Sequence, residues 1–469
     1  MKKLLTLVVA GCMVLGSLGA ASAVDVKVGG QFWFHYGYYS NNLLVEKDAT
    51  GRHADRTVAR QRVRTQIQFI ADENLSALLN LEANMHWGNT TGGSTNNTHG
   101  GLDADNATFV IKRAHLDWTI PGTQVKTRMG MQGIAMPAVV AGNPVMNADV
   151  AGISVSTQFT PEVGLTVYWA RPYDRTYYDA AQNDGKNNMD EMDMFGFMLP
   201  IKTDVVRATP WGMFAFIGND SDFYTTSYNY NRGQRAPNTD RMDSSTYGWW
   251  LGTTFELPVL DPFFVKLDAM MGGLETGESD HDTFGWMVAA DIGYKFSWGA
   301  LSAIGFYSSG DDDEDDLGQL PIVSEDGGFT LTRYALGGTY ARSYDGMLSR
   351  SAQGLWGLGL KVADVSFVEN LKHTFIAIYY GGTNEGDSWA NNRGIGSGPK
   401  GFQARFSGHS LMTSDHAWEL NLLNNYKVSQ NLMIDVDFAY LDLDLGDHWD
   451  NKNDTKGSFA TMIGVTYSF

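Results

Sequence analysis

A single cysteine among 469 residues is the chain's sharpest scarcity. Cys12 falls inside an apolar N-terminal stretch, and once that stretch is removed the chain has no disulfide, no thiol nucleophile and no Cys-ligated metal site. Long apolar runs are missing too. Nothing after Ala23 approaches 18 uninterrupted apolar residues, which excludes a helical membrane span. Positive charge is short, with 34 Lys+Arg against 53 Asp+Glu and a formal charge of −19. That balance argues against a nucleic-acid partner, which needs a basic footprint. Only 12 prolines occur, and no Pro- or Ser-rich linker or composition shift divides the chain. Residues 24–469 therefore read as a single domain despite their length.

The N-terminal stretch "MKKLLTLVVAGCMVLGSLGAASA" has Lys2 and Lys3, an apolar core and Ala21-Ser22-Ala23 as a small-residue cleavage site. These are the parts of a secretory signal peptide over residues 1–23, with the exported chain beginning at Val24. A rival reading takes Val9-Ala10-Gly11-Cys12 as a lipoprotein cleavage site. The apolar stretch before Cys12 is short for it and continues well beyond. Cleavage after Ala23 removes two lysines and leaves 32 basic against 53 acidic residues, a charge of −21.

What the chain does have is period two. The final "GSFATMIGVTYSF" places Phe469, Tyr467, Val465, Ile463 and Phe459 on one strand face and Ser468, Thr466, Gly464 and Ala460 on the other. Eleven such residues, tilted by roughly 45°, cover about 26 Å along a membrane normal. "VARQRVRTQIQFIADENLSALLNLEANMHW" (58–87) is a two-faced hairpin. Arg60, Arg62, Arg64, Gln66 and Gln68 oppose Val63, Thr65, Ile67 and Phe69, and the turn is Ala71-Asp72-Glu73-Asn74. "IKRAHLDWTIPGTQVKTRMGMQ" (111–132) is a second hairpin turning at Pro121-Gly122, with Arg113, His115 and Asp117 on one face.

Short turns such as Ser429-Gln430-Asn431 then alternate with long polar loops near 172–192, 218–245, 308–350, 382–415 and 444–456. The expectation is an all-β, transmembrane antiparallel barrel with short periplasmic turns and long extracellular loops, multi-pass in an outer membrane. About 18 strands are counted, with 16 as the alternative because 330–370 does not parse into strands. A soluble sandwich also alternates, but it does not call for a terminal aromatic or for connections that alternate short and long.

The signal peptide, the Arg-x-Arg-Thr strand with its "ADENLSA" turn, the "KRAHLDWTIPGT" hairpin and the terminal "VTYSF" resemble Gram-negative outer-membrane porins. Among them the chain looks most like the homotrimeric porins of Desulfovibrio-like sulfate-reducing bacteria. The resemblance implies a homotrimer in outer-membrane lipid and lipopolysaccharide. It also implies that Phe469, with Tyr467 and Val465, is the signal read by barrel-assembly machinery.

Function then turns on the wall of the lumen. Arg60, Arg62 and Arg64 on the lipid side would cost about 2 to 4 kcal/mol each near the midplane, so they are expected to face inward. With Arg113, Lys126 and Arg128 they form an expected basic arc, beside which Glu82, Asp117 and His115 also line the pore. The bland reading makes the same residues paired lumen charges with a structural part only. "GIAMPAVVAGNPVMNADVAG" (133–152) occupies the place of the porin loop that folds inward, so Met136, Pro137, Pro144 and Asp149 are assigned to a constriction.

"DDDEDD" (311–316) lacks the spacing and central glycine of an EF-hand and reads as a solvated acidic outer loop. The histidines match no zinc spacing, so neither metal nor cofactor is expected. No Gly-x-Ser-x-Gly or persuasive Ser/His pair points to an enzyme. The expected function is passive diffusion of small hydrophilic solutes and ions through a water-filled channel. A channel selective for anions or phosphate is the alternative, and an outer-membrane hydrolase or adhesin a more remote one.

Overall fold

A computed structural model describes residues 24–41, 44, 55–88, 101, 109–174, 191–218, 221, 223, 245–276, 282–311, 318–324, 328–336, 347–349, 351–385, 411–446 and 455–469. No helix among them is long and apolar enough to cross a membrane. The strands are β1 (Asp25–Tyr39), β2 (Arg56–Ile70), β3 (Leu75–His86), β4 (Val110–Thr119), β5 (Lys126–Ala135), β6 (Asn147–Gln158), β7 (Gly164–Tyr173), β8 (Met192–Met198) and β9 (Ile201–Lys202). They continue as β10 (Arg207–Ile217), β11 (Thr246–Glu256), β12 (Phe263–Glu275), β13 (Thr283–Phe296) and β14 (Gly299–Ser308). The last five are β15 (Leu355–Val368), β16 (Leu371–Gly382), β17 (His416–Lys427), β18 (Leu432–Asp444) and β19 (Ser458–Ser468).

Every neighbouring pair is antiparallel, and β19 closes on β1 through the register Gln31↔Ser468 to Tyr39↔Ala460. β8 and β9 both pair with β10 and are one strand interrupted at Leu199-Pro200, where proline has no N–H for the ladder. The barrel therefore has 18 strands. Closure removes the sheet edges that would otherwise need a partner.

Alternation decides which residues go in. Trp33, His35 and Tyr39 pair across to Thr466, Gly464 and Ala460 on the inner face, while Phe34 and Tyr36 pair with Val465 and Ile463 on the outer one. Outer positions on β6 to β11 are large and exposed, among them Ile153, Val167, Phe195, Phe197, Phe214 and Leu251. Soluble monomers rarely leave a contiguous apolar band uncovered. A belt of this composition needs an apolar solvent around it. Inner positions include buried carboxylates at Asp268, Asp291, Glu419, Asp435 and Asp437.

The tight turns fall at one end. At 71–74 the Asp72 carboxylate accepts from the backbone N–H groups of Asn74 (2.7 Å) and Leu75 (2.9 Å), so the side chain itself closes the turn. Gly122 at φ +76° supplies the left-handed residue of the 120–125 turn. Phe469 sits at the same end. Its N–H donates to the Gly30 carbonyl (3.1 Å), its carbonyl accepts from Gly30 N–H (3.0 Å), and its ring lies against Phe32 and Tyr467.

One expectation about the loops is corrected. The sequence predicts an outer polar loop between β14 and β15, yet the described parts of this connection lie inside the barrel. Leu320, Val323, Phe329, Leu331 and Leu336 are all buried against inner-face residues. Short apolar runs flanked by an acidic stretch look like loop in a linear reading. The barrel interior gives them somewhere to hide. This also explains why 330–370 did not parse, since strand β15 begins only at Leu355.

Candidate functional site

The inner faces of β2 to β5 carry most of the positive charge named from the sequence. Arg60, Arg62 and Arg64 pair in register with His86, Asn84 and Glu82. Arg64 Nε donates to Glu82 (2.5 Å), Arg62 Nε donates to Asn84 (2.7 Å), and the Arg62 guanidinium lies over the Trp33 ring at 5.6 Å. Arg128 makes a two-pronged contact with Asp117 (2.6 and 3.0 Å), a geometry that fixes both groups. His115 is buried, with Nδ1 3.2 Å from the Met131 carbonyl and Nε2 3.7 Å from Asp117. Lys126 makes no ion pair among the described residues. The site is thus a chain of arginines partly neutralised here by two acids, Glu82 and Asp117.

Alternation missed one member. β3 and β4 lose register between Asn80 and Leu81, so Lys112 is the extra residue of a bulge. Its ammonium lies 2.6 Å from Asp149 and 4.0 Å from Glu82, tying the two acids into one network. Arg113 also bonds Asp149 (2.5 Å). A bulge re-aims a single side chain, and nothing in a two-residue period announces it.

The 133–152 segment divides differently from its sequence reading. Residues 133–135 finish β5, 147–152 begin β6, and the loop proper is 136–146. Asp149 therefore stands on β6, bonded to Lys112 and Arg113, and not in the loop. Met136 is buried and lies 3.7 Å from the Tyr168 hydroxyl. Pro137 and Pro144 bracket a turn knit by Asn143, whose Nδ2 donates to the Pro137 carbonyl and whose Oδ1 accepts from Val145 N–H. The loop crosses the lumen. Asp268 on β12 accepts from the backbone N–H groups of Val139 (3.0 Å) and Val140 (2.9 Å).

There it meets the β14–β15 connection. Ala141 and Val145 carbonyls accept from Thr330 N–H (2.7 Å) and Val323 N–H (2.9 Å). That second loop runs along the wall from β11 round to β1. Trp250 Nε1 donates to the Pro321 carbonyl (2.9 Å), Phe329 packs on Phe306, and Arg333 pairs with Asp437 (3.4 Å). Tyr334 stacks on Tyr39 and its hydroxyl bonds Ser458. Burial raises the Tyr334 phenol above its ordinary pKa and keeps it protonated.

The two inward loops thus pack mainly on the β11-to-β1 side. Side chains on the other side keep water: Arg64, Arg113 and Arg128 are 30%, 40% and 43% exposed. The wet arc and the basic arc coincide.

Asp311 is buried and its N–H donates to Asn384 (3.1 Å), so the start of "DDDEDD" is structural and not a solvated loop. Residues 312–317 lie outside the described residues. No cluster of three metal-ligating side chains occurs among the described residues. Sequence reasoning missed Lys112, Asp268, Glu419 and the inward β14–β15 loop. Asp268 and Glu419 do sit at inward phase between apolar neighbours, which was a legible but unspecific signal.

A closed 18-stranded antiparallel barrel with two inward loops defines the class by its architecture. No protein-family model matches the chain, and no curated protein matches it. Solved structures do. OccK8 (OprE) of Pseudomonas aeruginosa is 9% identical with a TM-score of 0.55, covering 95% of this chain and 98% of that one. The outer membrane protein opdK of P. aeruginosa is 8% identical with a TM-score of 0.53, over 94% and 99%. OccAB3 of Acinetobacter baumannii is 10% identical with a TM-score of 0.52, over 94% and 99%. At that identity the likeness is one of fold over essentially the whole length of both chains.

Proposed function

We propose that the chain is an outer-membrane porin of a Gram-negative bacterium, a water-filled channel through which small hydrophilic solutes and ions diffuse passively. The carrying observation is the inversion of an ordinary protein: large apolar side chains outside, ion pairs and partly exposed arginines inside. Only lipid outside and water inside satisfy both faces. The fold likeness to solved outer-membrane barrels supports this reading.

Filtering is done at the narrowest level, where the 136–146 loop and the β14–β15 loop meet. The exposed arginines on β2 to β5 bias what passes. The seven cationic side chains Arg60, Arg62, Arg64, Lys112, Arg113, Lys126 and Arg128 stand against Glu82, Asp117 and Asp149, and this surplus favours the second reading, a channel preferring anionic solutes. No catalytic step is assigned. Residues 1–23 act as the export signal, and Phe469, Tyr467 and Val465 as the address for barrel assembly. The protein works as a homotrimer among lipid and lipopolysaccharide, as its resemblance to porins implies.

Reconstitution in a planar bilayer tests the function. Steady ohmic steps support a general pore, currents that saturate and are blocked by one anionic solute support the selective channel, and absence of any conductance refutes both. Uptake of a small sugar by vesicles carrying a 137–145 deletion tests the constriction. Flux equal to that of the intact chain refutes it.

A further inference from the structure

The two inward loops are held to the wall by the same device, used twice. On β12 the buried Asp268 carboxylate accepts two successive backbone N–H groups of the β5–β6 loop, from Val139 and Val140. On β17 the buried Glu419 carboxylate accepts two successive backbone N–H groups of the β14–β15 loop, from Tyr334 and Ala335 at 3.2 Å each. Its second oxygen takes the Tyr380 hydroxyl at 2.8 Å. The loops are then bonded to each other at Thr330–Ala141 and Val323–Val145, and Gly142 allows the contact. It sits at φ +99°, and a Cβ there would come within 2.4 Å of the Gly328 carbonyl.

We propose that Asp268 and Glu419 are paired tethers of one two-loop plug, and that the state of these tethers sets the width of the channel. The inference rests on the porin reading.

The chemistry favours a tether over ordinary packing. A carboxylate facing two N–H donors makes charge-assisted bonds about twice as strong as neutral ones, and it offers acceptors only. At Asp268, whose two oxygens share the donors, an amide of the same shape offers one oxygen and turns an NH2 toward a backbone N–H. Exchange of Asp268 for Asn therefore sets donor against donor, whereas Glu419 takes both N–H groups on one oxygen, so its exchange for Gln keeps their acceptor, removes the charge that strengthens both bonds and turns an NH2 toward the Tyr380 hydroxyl. The backbone N–H groups released from Asp268 regain partners by meeting water, which is reached by moving into the lumen. Because the loops are bonded to each other, loss of either tether loosens both. Asp268 and Glu419 lie five strands apart on the wall, so neither can replace the other. They are positioning residues, and the permeating solute need not touch them.

The test uses single-channel recording on the full chain carrying Asp268→Asn, Glu419→Gln or both, with sheet content by circular dichroism as the check on folding. Each single variant is expected to raise the unitary conductance about twofold or to add a larger substate of that size. A second measurement separates loop release from general loosening. Ala141→Cys with Thr330→Cys, in a chain whose one native cysteine leaves with residues 1–23, cross-links the two loops on oxidation. In the Asp268→Asn background the oxidised pair should return conductance to the wild-type value, and a reductant should restore the increase. In the chain with both tethers intact, oxidation should remove brief upward excursions without changing the mean. Folded variants with wild-type conductance, or an increase that survives the cross-link, overturn the tethers. Should a variant not fold, identical mean and noise before and after oxidation in the intact-tether chain overturn them equally. A wild-type chain with no conductance overturns the porin reading instead.

Discussion

Reversing charge at Arg62 and Arg64 should invert the ion preference of the channel by an amount that can be worked out beforehand. Both guanidiniums lie on the inner face of β2, successive inward positions about 7 Å apart, next to the single carboxylate of Glu82. The local charge of the three groups is +1, and Arg62→Glu with Arg64→Glu makes it −3. A monovalent ion passing about 7 Å from both positions feels roughly 0.6 kcal/mol per unit of charge in water, hence about 2.4 kcal/mol for four units. A Debye length of about 8 Å at physiological salt reduces that to roughly 1 kcal/mol. Cations then gain about fivefold and anions lose about fivefold, so the cation-to-anion permeability ratio should rise by about 25-fold.

The assay is the reversal potential across a salt gradient in a planar bilayer. Arg62→Gln with Arg64→Gln changes two units instead of four and should give the square root of that effect, about fivefold. The gradation matters, because a nonspecific distortion of the strand would not scale with charge. Raising salt to 1 M, where the Debye length is about 3 Å, should abolish most of the shift. A ratio within twofold of wild type at low salt, in a variant that is still a folded barrel, would refute the placement of these arginines at the water path.

Three further outcomes follow from the same geometry. Leu251→Arg, at the middle of β11 on the outer face, should destabilise the barrel by about 2 to 4 kcal/mol in denaturant unfolding from vesicles, whereas Gln66→Arg on the inner face of β2 should cost much less. Gly142→Ala puts a methyl group on the Gly328 carbonyl and strains a left-handed residue. It should part the two inward loops and raise conductance without altering sheet content, and unchanged currents would show that this close approach does not matter. Removing Phe469 deletes the ring against Phe32 and the two backbone bonds to Gly30 that finish the barrel seam. Folded protein in the outer membrane should fall several-fold while refolding of purified chain in detergent is much less affected, and equal losses in both would refute an assembly signal.

The hairpins 58–87 and 111–132 were legible because a strand in a barrel wall has one greasy and one wet neighbour, so its period of two survives in the sequence. Their turns were legible for a local reason too, since Asp72 and Gly122 carry their own turn chemistry. The interruption at Leu199-Pro200 was not foreseen as a feature, yet it left the strand count at 18, the first of the two numbers expected. Lys112 was left out by the alternation that put Arg113 on the inward face. One residue of bulge shifts the phase, and a bulge is chosen by the pairing of two strands together.

What this sequence determined by itself was everything that depends on neighbours along the chain: the two-faced strands, the tight turns, the terminal aromatic seam and the sign of charge on the β2 wall. What only the tertiary structure decided was which inward group meets which across the lumen. Val139 and Val140 find Asp268 more than a hundred residues away, and Tyr334 and Ala335 find Glu419 from a stretch that reads as polar loop. Such contacts depend on curvature and closure, which bring distant strands to face one another over water, and no local period in a sequence records them.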